Sequence, residues 1–98
     1  MIHHMLFWNC TSAVKDKNAL LFQLREAFAG LKAACPGLLE ARVDLTLPGS
    51  THDVALYCVF FDQAALDAYQ SAPLHLAFKE KMKDLLCGRV CADVEVEE

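Results

Sequence analysis

A tyrosine and a histidine in the second half of the chain have the chemistry and the spacing of an acid–base pair. His75 and Phe78 are three residues apart, so on a helix they share one face, and that face is apolar. Tyr69 follows Leu66 at the same interval and also faces inward. In an apolar pocket, a histidine could remove a proton alpha to a carbonyl near neutral pH, and a phenol could orient the histidine or polarise the carbonyl.

Another histidine, His4, shares an apolar strand face with Leu6 and Trp8. Its neighbour His3 points to the opposite face, so the two cannot chelate one ion, and no metal site is expected. Taken singly, each of these side chains is also compatible with a core residue that local hydrogen bonds satisfy. The pattern therefore indicates a candidate pocket and leaves its chemistry open.

Five cysteines are spread along the chain, and no two have the C-x-x-C spacing. Gly88 and the strand-like residues after it are expected to place the nearest two, Cys87 and Cys91, on different elements. A zinc site would also need a second close pair of ligands, and none appears in the sequence. We expect reduced and mostly buried thiols, with a redox role for one exposed thiol as the alternative. The five are Cys10, Cys35, Cys58, Cys87 and Cys91.

The first third of the chain predicts a strand followed by a long helix. Residues 2–10 are apolar on both alternating faces, which is typical of a strand with neither face fully in water. A helical pattern runs from Val14 to Ala34, after possible caps at Thr11-Ser12, and ends at Cys35-Pro36-Gly37. Its apolar stripe comprises Leu20, Leu24, Ala27, Phe28 and Leu31.

The rest of the chain predicts three more strands and two helical pieces. The strand patterns cover Leu38–Leu47, Asp53–Phe61 and Arg89–Glu97, and the second of these is apolar on both faces. A helix begins after Asp62 and is interrupted at Pro73. A second helical piece runs from Leu74 to Leu86, with Gly88 as its expected C-cap and lysines on a solvated face.

This order of elements, β-α-β-β-α-β, predicts a ferredoxin-like α+β fold with a four-stranded antiparallel sheet. Helices can cover only one sheet face, and the chain is 55% hydrophobic in only 98 residues. The second face of the apolar strands must therefore meet another subunit, which predicts a homodimeric α/β barrel formed through the sheets. Its expected centre comprises Met5, Phe7 and the helix-distal side of Val54–Phe61, and residues 1–98 are expected to form one domain.

Charge and hydropathy exclude several classes of function. Nine basic residues face 13 acidic ones, so nucleic acid is not an expected partner. No apolar run approaches the roughly 20 residues of a membrane span, and the N-terminus lacks the pattern of a signal peptide. The odd number of cysteines and the absence of a signal-peptide pattern predict a cytoplasmic protein. The sequence has no Gly-rich phosphate loop and no nucleophile elbow, and no cofactor is expected.

The chain also resembles the stress-responsive A/B barrel domain (Dabb) family over nearly its whole length. The tyrosine, proline and histidine of the middle segment are the most specific part of the likeness. The family often has His-Pro-x-His there, whereas this chain has Ala72-Pro73-Leu74-His75. The segments that carry the resemblance are Met1-Ile2-His3-His4, Asp53-Val54-Ala55-Leu56, Leu66-Asp67-Ala68-Tyr69-Gln70-Ser71-Ala72-Pro73-Leu74-His75 and Arg89-Val90-Cys91-Ala92-Asp93-Val94.

The resemblance implies a homodimer with a pocket between sheet and helices in each protomer. A plant polyketide cyclase of this family makes olivetolic acid by aldol condensation, which implies that Tyr69 and His75 are the catalytic pair here. The same resemblance implies that His4 and Phe78 line the pocket. Leu6 and Trp8 are expected to line it as well, because they share a strand face with His4.

Three functions remain open at this point. The first is an enzyme, of cyclase, isomerase or lyase type, that acts on a carbonyl-containing metabolite by acid–base chemistry. The second is a non-catalytic dimer that is stress-related or binds a ligand, and the third, by fold analogy alone, is a cofactor-free monooxygenase. An open cavity that reaches His75 favours the first, and a packed interior favours the second.

Overall fold

The computed structural model describes residues 1–97; Glu98, the last residue of the predicted domain, lies outside the described residues. Its four strands form one antiparallel sheet in the order β2-β3-β1-β4, which confirms the predicted ferredoxin-like βαββαβ topology. No helix within residues 1–97 is long and apolar enough to cross a membrane. The elements are β1 Ile2–Cys10, α1 Lys17–Ala34, β2 Leu38–Leu45, β3 Val54–Phe60, α2 Gln63–Ser71, α3 Pro73–Met82 and β4 Leu86–Glu95.

Helix α1 begins three residues later than the sequence predicted. Its N-cap is Asp16, whose carboxylate accepts hydrogen bonds from the backbone N–H groups of Asn18 and Ala19 at 3.0 and 3.2 Å. The predicted caps at Thr11-Ser12 are wrong because Thr11 is used elsewhere: its backbone N–H donates to Leu85 O and its hydroxyl donates to the Asp84 carbonyl. The predicted apolar stripe is confirmed, with Leu20, Leu24, Phe28 and Leu31 buried.

The predicted end of the last helix and start of the last strand are wrong. Helix α3 stops at Met82, and β4 already begins at Leu86, which pairs with Cys10 of β1. Gly88 is therefore no helix cap. It lies within β4 with φ of +63° where the β1–β4 register shifts, so an extra residue of β4 forms a bulge opposite Trp8.

Strands β2 and β3 are slightly shorter than predicted, and polar side chains of the segment between them bond to distant parts of the chain. The Asp53 carboxylate accepts hydrogen bonds from the Cys10 backbone N–H at 2.8 Å and from Lys17 Nζ at 3.1 Å. These bonds hold the pKa of Asp53 below its ordinary value. His52 contacts the Gly88 carbonyl at 3.1 Å, so the loop supports the bulge of β4.

Gly37 allows helix α2 to lie close to the start of β2. A Cβ atom at this position would lie 2.2 Å from the Ala65 Cβ, nearer than any side chain tolerates. The Gly37 carbonyl also accepts a hydrogen bond from the Phe61 N–H at 2.9 Å. Glycine at this position therefore permits the close approach of α2, the helix that carries Tyr69.

The two faces of the sheet are unlike. The helix-covered face is buried and includes Ile2, His4, Leu6 and Trp8 of β1. The opposite face, called the bare face here, remains apolar and partly exposed: Phe7 is 39%, Val90 47% and Val94 45% accessible. Along β1, β3 and β4 the bare face consists of His3, Met5, Phe7, Ala55, Tyr57, Val59, Val90, Ala92 and Val94.

Candidate functional site

A cavity of about 380 Å³ lies between the helix-covered face of the sheet and helices α2 and α3. The structure brings together around it all six residues that the sequence singled out. The interior is therefore open at this point rather than packed. The sequence alone could not distinguish these two possibilities. The six are His4, Leu6, Trp8, Tyr69, His75 and Phe78.

The break between α2 and α3 places the two central side chains against each other. Ala72 is extended, with φ −62° and ψ 135°, and Pro73 takes the first position of α3, where its missing N–H costs nothing. Tyr69 in the last turn of α2 and His75 in the first turn of α3 consequently stack, with ring centroids 4.1 Å apart and planes inclined by 25°. Both are buried, with 1% and 9% of their surface accessible.

The contact between Tyr69 and His75 is between ring faces. Within residues 1–97 no hydrogen bond joins the two side chains, so the phenol does not orient the imidazole through its hydroxyl in this state. Phe60 packs on the other side of Tyr69 at 5.0 Å between centroids, and Phe78 lies parallel to His75 at 6.3 Å. Aromatic neighbours thus hold both rings in place.

Burial lowers the pKa of His75 below its ordinary value. A backbone contact from Gln70 opposes this shift, while the nearby charges of Lys79 and Arg89 act with burial. The position of His75 in the first turn of a helix also disfavours a positive charge. Its Nδ1 is buried and has no hydrogen-bond partner within the described residues. The imidazole is therefore neutral at neutral pH and carries a polar atom that the fold leaves unsatisfied.

Burial likewise raises the pKa of Tyr69 far above its ordinary value. The phenol therefore keeps its proton at any physiological pH. A neutral imidazole and a protonated phenol on one cavity wall are the protonation states that a base and a hydrogen-bond donor need.

His4 differs from His75 because its Nδ1 has a hydrogen-bond partner. Its Nδ1 lies 2.5 Å from Asp93 Oδ1 and 3.7 Å from Cys91 Sγ, both on β4. Since a carboxylate can only accept, His4 Nδ1 carries a proton and donates it to Asp93 Oδ1. The sequence missed Asp93 and Cys91; the signal was the pairing of β4 with β1, which places them beside His4.

His4, Cys91 and Asp93 are also the described residues that could hold a metal ion. One donor atom from each lies within 4.8 Å of the others. Burial and the neighbouring Asp93 raise the pKa of Cys91, so without an ion its sulfur is a thiol. The geometry is that of a hydrogen-bonded histidine.

The cysteines are less buried than predicted. All five are free thiols, but Cys87 and Cys91 are exposed, and Cys10 and Cys35 are half-buried. Only Cys58 is fully enclosed, and burial raises the pKa of its thiol to about 12. The prediction that Cys87 and Cys91 lie on different elements is wrong, because both belong to β4.

Sequence reasoning also missed residues at the mouth of the cavity. Lys79 and Lys83 belong to the helix face interpreted as merely solvated, yet both line the cavity together with Arg89 of β4. Helical periodicity indicates which side of a helix is polar, but it does not give the distance between the helix and the sheet. It therefore could not show that these lysines line a cavity. The register of β4, which puts Arg89 beside the bulge opposite Trp8, required the folded sheet.

Solved structures share this fold over nearly the whole chain. A dimeric protein of unknown function with a ferredoxin-like fold from Bacteroides fragilis superposes with a TM-score of 0.84 and 23% identity, over 97% of this chain and 95% of that one. Hydroxynitrile lyase from Passiflora edulis gives 0.80 and 16%, over 99% and 94%. A monooxygenase-like protein of antibiotic biosynthesis from Nitrosomonas europaea gives 0.77 and 11%, over 100% of both chains.

At these identities the likeness to solved structures shows the fold alone. No curated protein matches the sequence. The family model of the Stress responsive A/B Barrel Domain (Dabb) matches residues 2–96, and the chain belongs to this family.

Proposed function

We propose that this Dabb-family protein is a homodimer in which the cavity of each protomer binds a carbonyl-containing small molecule and acts on it by acid–base chemistry. The reaction class is that of a cyclase, isomerase or lyase. His75 is the base, Tyr69 is its hydrogen-bond donor, and His4, Leu6, Trp8 and Phe78 contact the bound molecule. Each protomer is one domain over residues 1–98, and a reducing compartment such as the cytoplasm suits its five free thiols.

The observation that carries the proposal is the unsatisfied imidazole of His75 on the cavity wall. A buried polar atom without a partner costs a fold about 1–3 kcal/mol, and such groups are retained where they serve a function. His4, by contrast, has the partner expected of a structural histidine. His75 therefore lines the cavity without a side-chain partner that would commit its imidazole to the fold.

The chemistry follows from the protonation states of the pair. Neutral His75 accepts a proton from the carbon alpha to the carbonyl, and the C–H electron pair forms an enolate. The protonated hydroxyl of Tyr69 donates a hydrogen bond to the enolate oxygen, where the negative charge develops. In a cyclisation the enolate carbon then attacks a second carbonyl, and the oxygen of that carbonyl takes the proton from His75. In an isomerisation the enolate instead regains the proton from His75 at another carbon, and in both cases the base is restored.

The homodimer is supported by the bare face. Phe7, Val90 and Val94 are exposed there, around the half-buried Met5 and Tyr57. Apolar side chains contiguous across three strands form a surface that water does not favour. Related folds are described as dimeric, including the one from Bacteroides fragilis. Packing of two bare faces against each other gives the barrel that the sequence predicted.

Proton exchange tests the assignment without knowledge of the substrate. The purified protein is incubated in D₂O with a panel of aryl ketones, and loss of the alpha-proton signal is followed by NMR. We expect His75→Gln to slow the exchange by about 100-fold or more, the usual effect of a general base, with His52→Gln in the outer loop as the matched control.

Two outcomes would count against the proposal. Exchange at the wild-type rate in His75→Gln would remove His75 as the base. Binding of the ketones without exchange in the wild type would favour the alternative, a non-catalytic ligand-binding dimer.

A further inference from the structure

The mouth of the cavity is positively charged, although the chain as a whole carries a net charge of −4. Lys79, Lys83 and Arg89 line it, and among its described lining residues there is no aspartate or glutamate. The walls therefore present cations to any molecule that enters and offer no acidic side chain to balance them.

Within residues 1–97, two of these three cations, Lys79 and Arg89, have no side-chain partner. Lys83 donates to Glu80 at 2.6 Å on the outer side of α3. Within residues 1–97, Lys79 and Arg89 form no ion pair and no hydrogen bond through their side chains. Their charges nevertheless reach the interior, since both lower the pKa of His75 and Arg89 also lowers that of Tyr69. A charge that acts on the site but has no protein partner is available to a ligand.

Lys79 and Arg89 reach the cavity from its two sides. Lys79 lies four residues after His75 on α3, which places its backbone about 6 Å further along the helix. Arg89 belongs to β4, next to the bulge at Gly88. An anion at the mouth would thus be held from both the helix and the sheet, at a distance from the imidazole.

The inner walls are apolar and aromatic, with Leu6, Trp8, Phe28, Phe78 and Met82 among the lining residues. A charged group deep in this part would lose its hydration without compensation. A charged group at the mouth would gain charge-assisted hydrogen bonds, which are roughly twice as strong as neutral ones. The walls therefore select an apolar body, and the mouth selects an anionic end.

We infer that the cavity takes an apolar small molecule with one anionic end group, a carboxylate or a phosphate, held at the mouth by Lys79 and Arg89. The carbonyl group and the alpha carbon that gives its proton to His75 lie inside the cavity, and they are separate from the anionic end. This inference rests on the proposed function for the role of His75, but the preference for an anion stands on the mouth alone.

Three ligands with the same phenyl body test the anionic preference. They are 4-phenylbutanoate, 3-phenylpropyl phosphate and the neutral 4-phenylbutanamide. Binding is followed by the fluorescence of Trp8, the one tryptophan of the chain, which lines the cavity. We expect one or both anions to bind at least about 10-fold more tightly than the amide at low salt, with the advantage shrinking as salt is added.

The variants Lys79→Gln and Arg89→Gln should each weaken binding of the anion several-fold, and the double variant should bring it to the level of the amide. Affinity for the amide should change by less than twofold. Lys81→Gln, on the same helix but outside the cavity, is the matched control and should behave as the wild type.

The outcomes separate the inference from the proposed function. If the amide binds as tightly as both anions, the anionic preference is overturned and the cavity keeps its proposed role. If none of the three ligands binds, both are overturned. The stronger of the two anions identifies the end group as carboxylate or phosphate.

Discussion

The helix-covered face of the sheet and the bare face share the same strands but carry different chemistry. Strand β1 supplies both: His4, Leu6 and Trp8 point to the cavity, while Met5 and Phe7 point the other way. The covered face combines apolar walls with titratable groups, whereas β1 and β3 place mainly apolar side chains on the bare face. A period of two along a single strand therefore separates the proposed site for a small molecule from the proposed surface for a second protomer.

The largest expected effect is on the bare face. Phe7→Glu should raise the dissociation constant of the dimer at least about 100-fold, because a carboxylate would have to be buried without a partner between two apolar sheets. Size-exclusion chromatography with light scattering measures the change as a shift from dimer to monomer mass at micromolar concentration.

Phe22→Glu is the matched control for this substitution. Phe22 lies on α1, is 64% accessible and belongs to neither sheet face. It should leave the dimer intact. A wild-type protein that is already monomeric at micromolar concentration would contradict the homodimer and the role proposed for the bare face.

The next effect is on the covered face, through the position of α2. Gly37→Ala should lower the free energy of unfolding by about 1–3 kcal/mol, because the new methyl group would lie 2.2 Å from the Ala65 Cβ. Denaturant unfolding at fixed protomer concentration measures the loss. The displaced helix carries Tyr69, so binding of phenyl ligands should weaken while the dimer persists.

Gly30→Ala provides the control for the glycine substitution. A methyl group on Gly30 would meet only the Leu74 side chain, at 4.0 Å, and alanine favours a helix interior. This variant should be as stable as the wild type or more stable. Equal losses in the two variants would show that the close approach of α2 at Gly37 is not required.

The sequence predicted the features of these two faces that depend on neighbouring residues, and it missed those that depend on residues far apart in the chain. The alternation in β1 and β3 is a local pattern, so it identified His4, Leu6 and Trp8 on one face and Met5 and Phe7 on the other. The start of β4 was missed because Leu85 and Leu86 continue an apolar helical spacing. Only the pairing of Leu86 with Cys10, 76 positions earlier in the chain, makes that segment a strand.

The same distinction applies to the candidate site. Tyr69, His75 and Phe78 could be assigned to the cavity from helical periodicity and the family resemblance. Asp93 beside His4 and Arg89 at the mouth depend on the register of β4, which includes a bulge. The stacking of Tyr69 on His75 depends on the backbone of Ala72, which no spacing rule specifies.

The two tyrosines of the chain sharpen the comparison, since Tyr69 of α2 packs over the covered face and Tyr57 of β3 lies on the bare face. Tyr69→Phe removes the proposed donor from the cavity and should slow proton exchange about 10-fold or more, with little change in the dimer. Tyr57→Phe removes a hydroxyl that lies 2.5 Å from His3 Nδ1 on the bare face and should leave exchange unchanged. Equal effects of the two variants on exchange would contradict the role proposed for Tyr69.

The smallest effect concerns pH and stability on the covered face. Burial lowers the pKa of His75 in the folded state, Lys79 of α3, His4 of β1 and Arg89 of β4 act in the same direction, and the backbone of Gln70 opposes the shift. Tyr69 of α2 stacks on the imidazole ring. Above the ordinary histidine pKa of about 6.5, both states are neutral and the free energy of unfolding does not depend on this residue. As the pH falls below that value, the unfolded chain takes up a proton that the folded chain resists.

Stability should therefore fall with decreasing pH, with a slope from this residue of up to about 1.4 kcal/mol per pH unit, until the folded pKa is passed. Unfolding is measured between pH 7 and pH 5 at one protomer concentration, with light scattering to confirm the same assembly at both ends. His75→Gln should lose less stability than the wild type over this range, since it lacks the titrating group. Parallel curves for the two proteins would mean that His75 is as well solvated as a surface histidine, and the neutral base proposed for the cavity would lose its physical support.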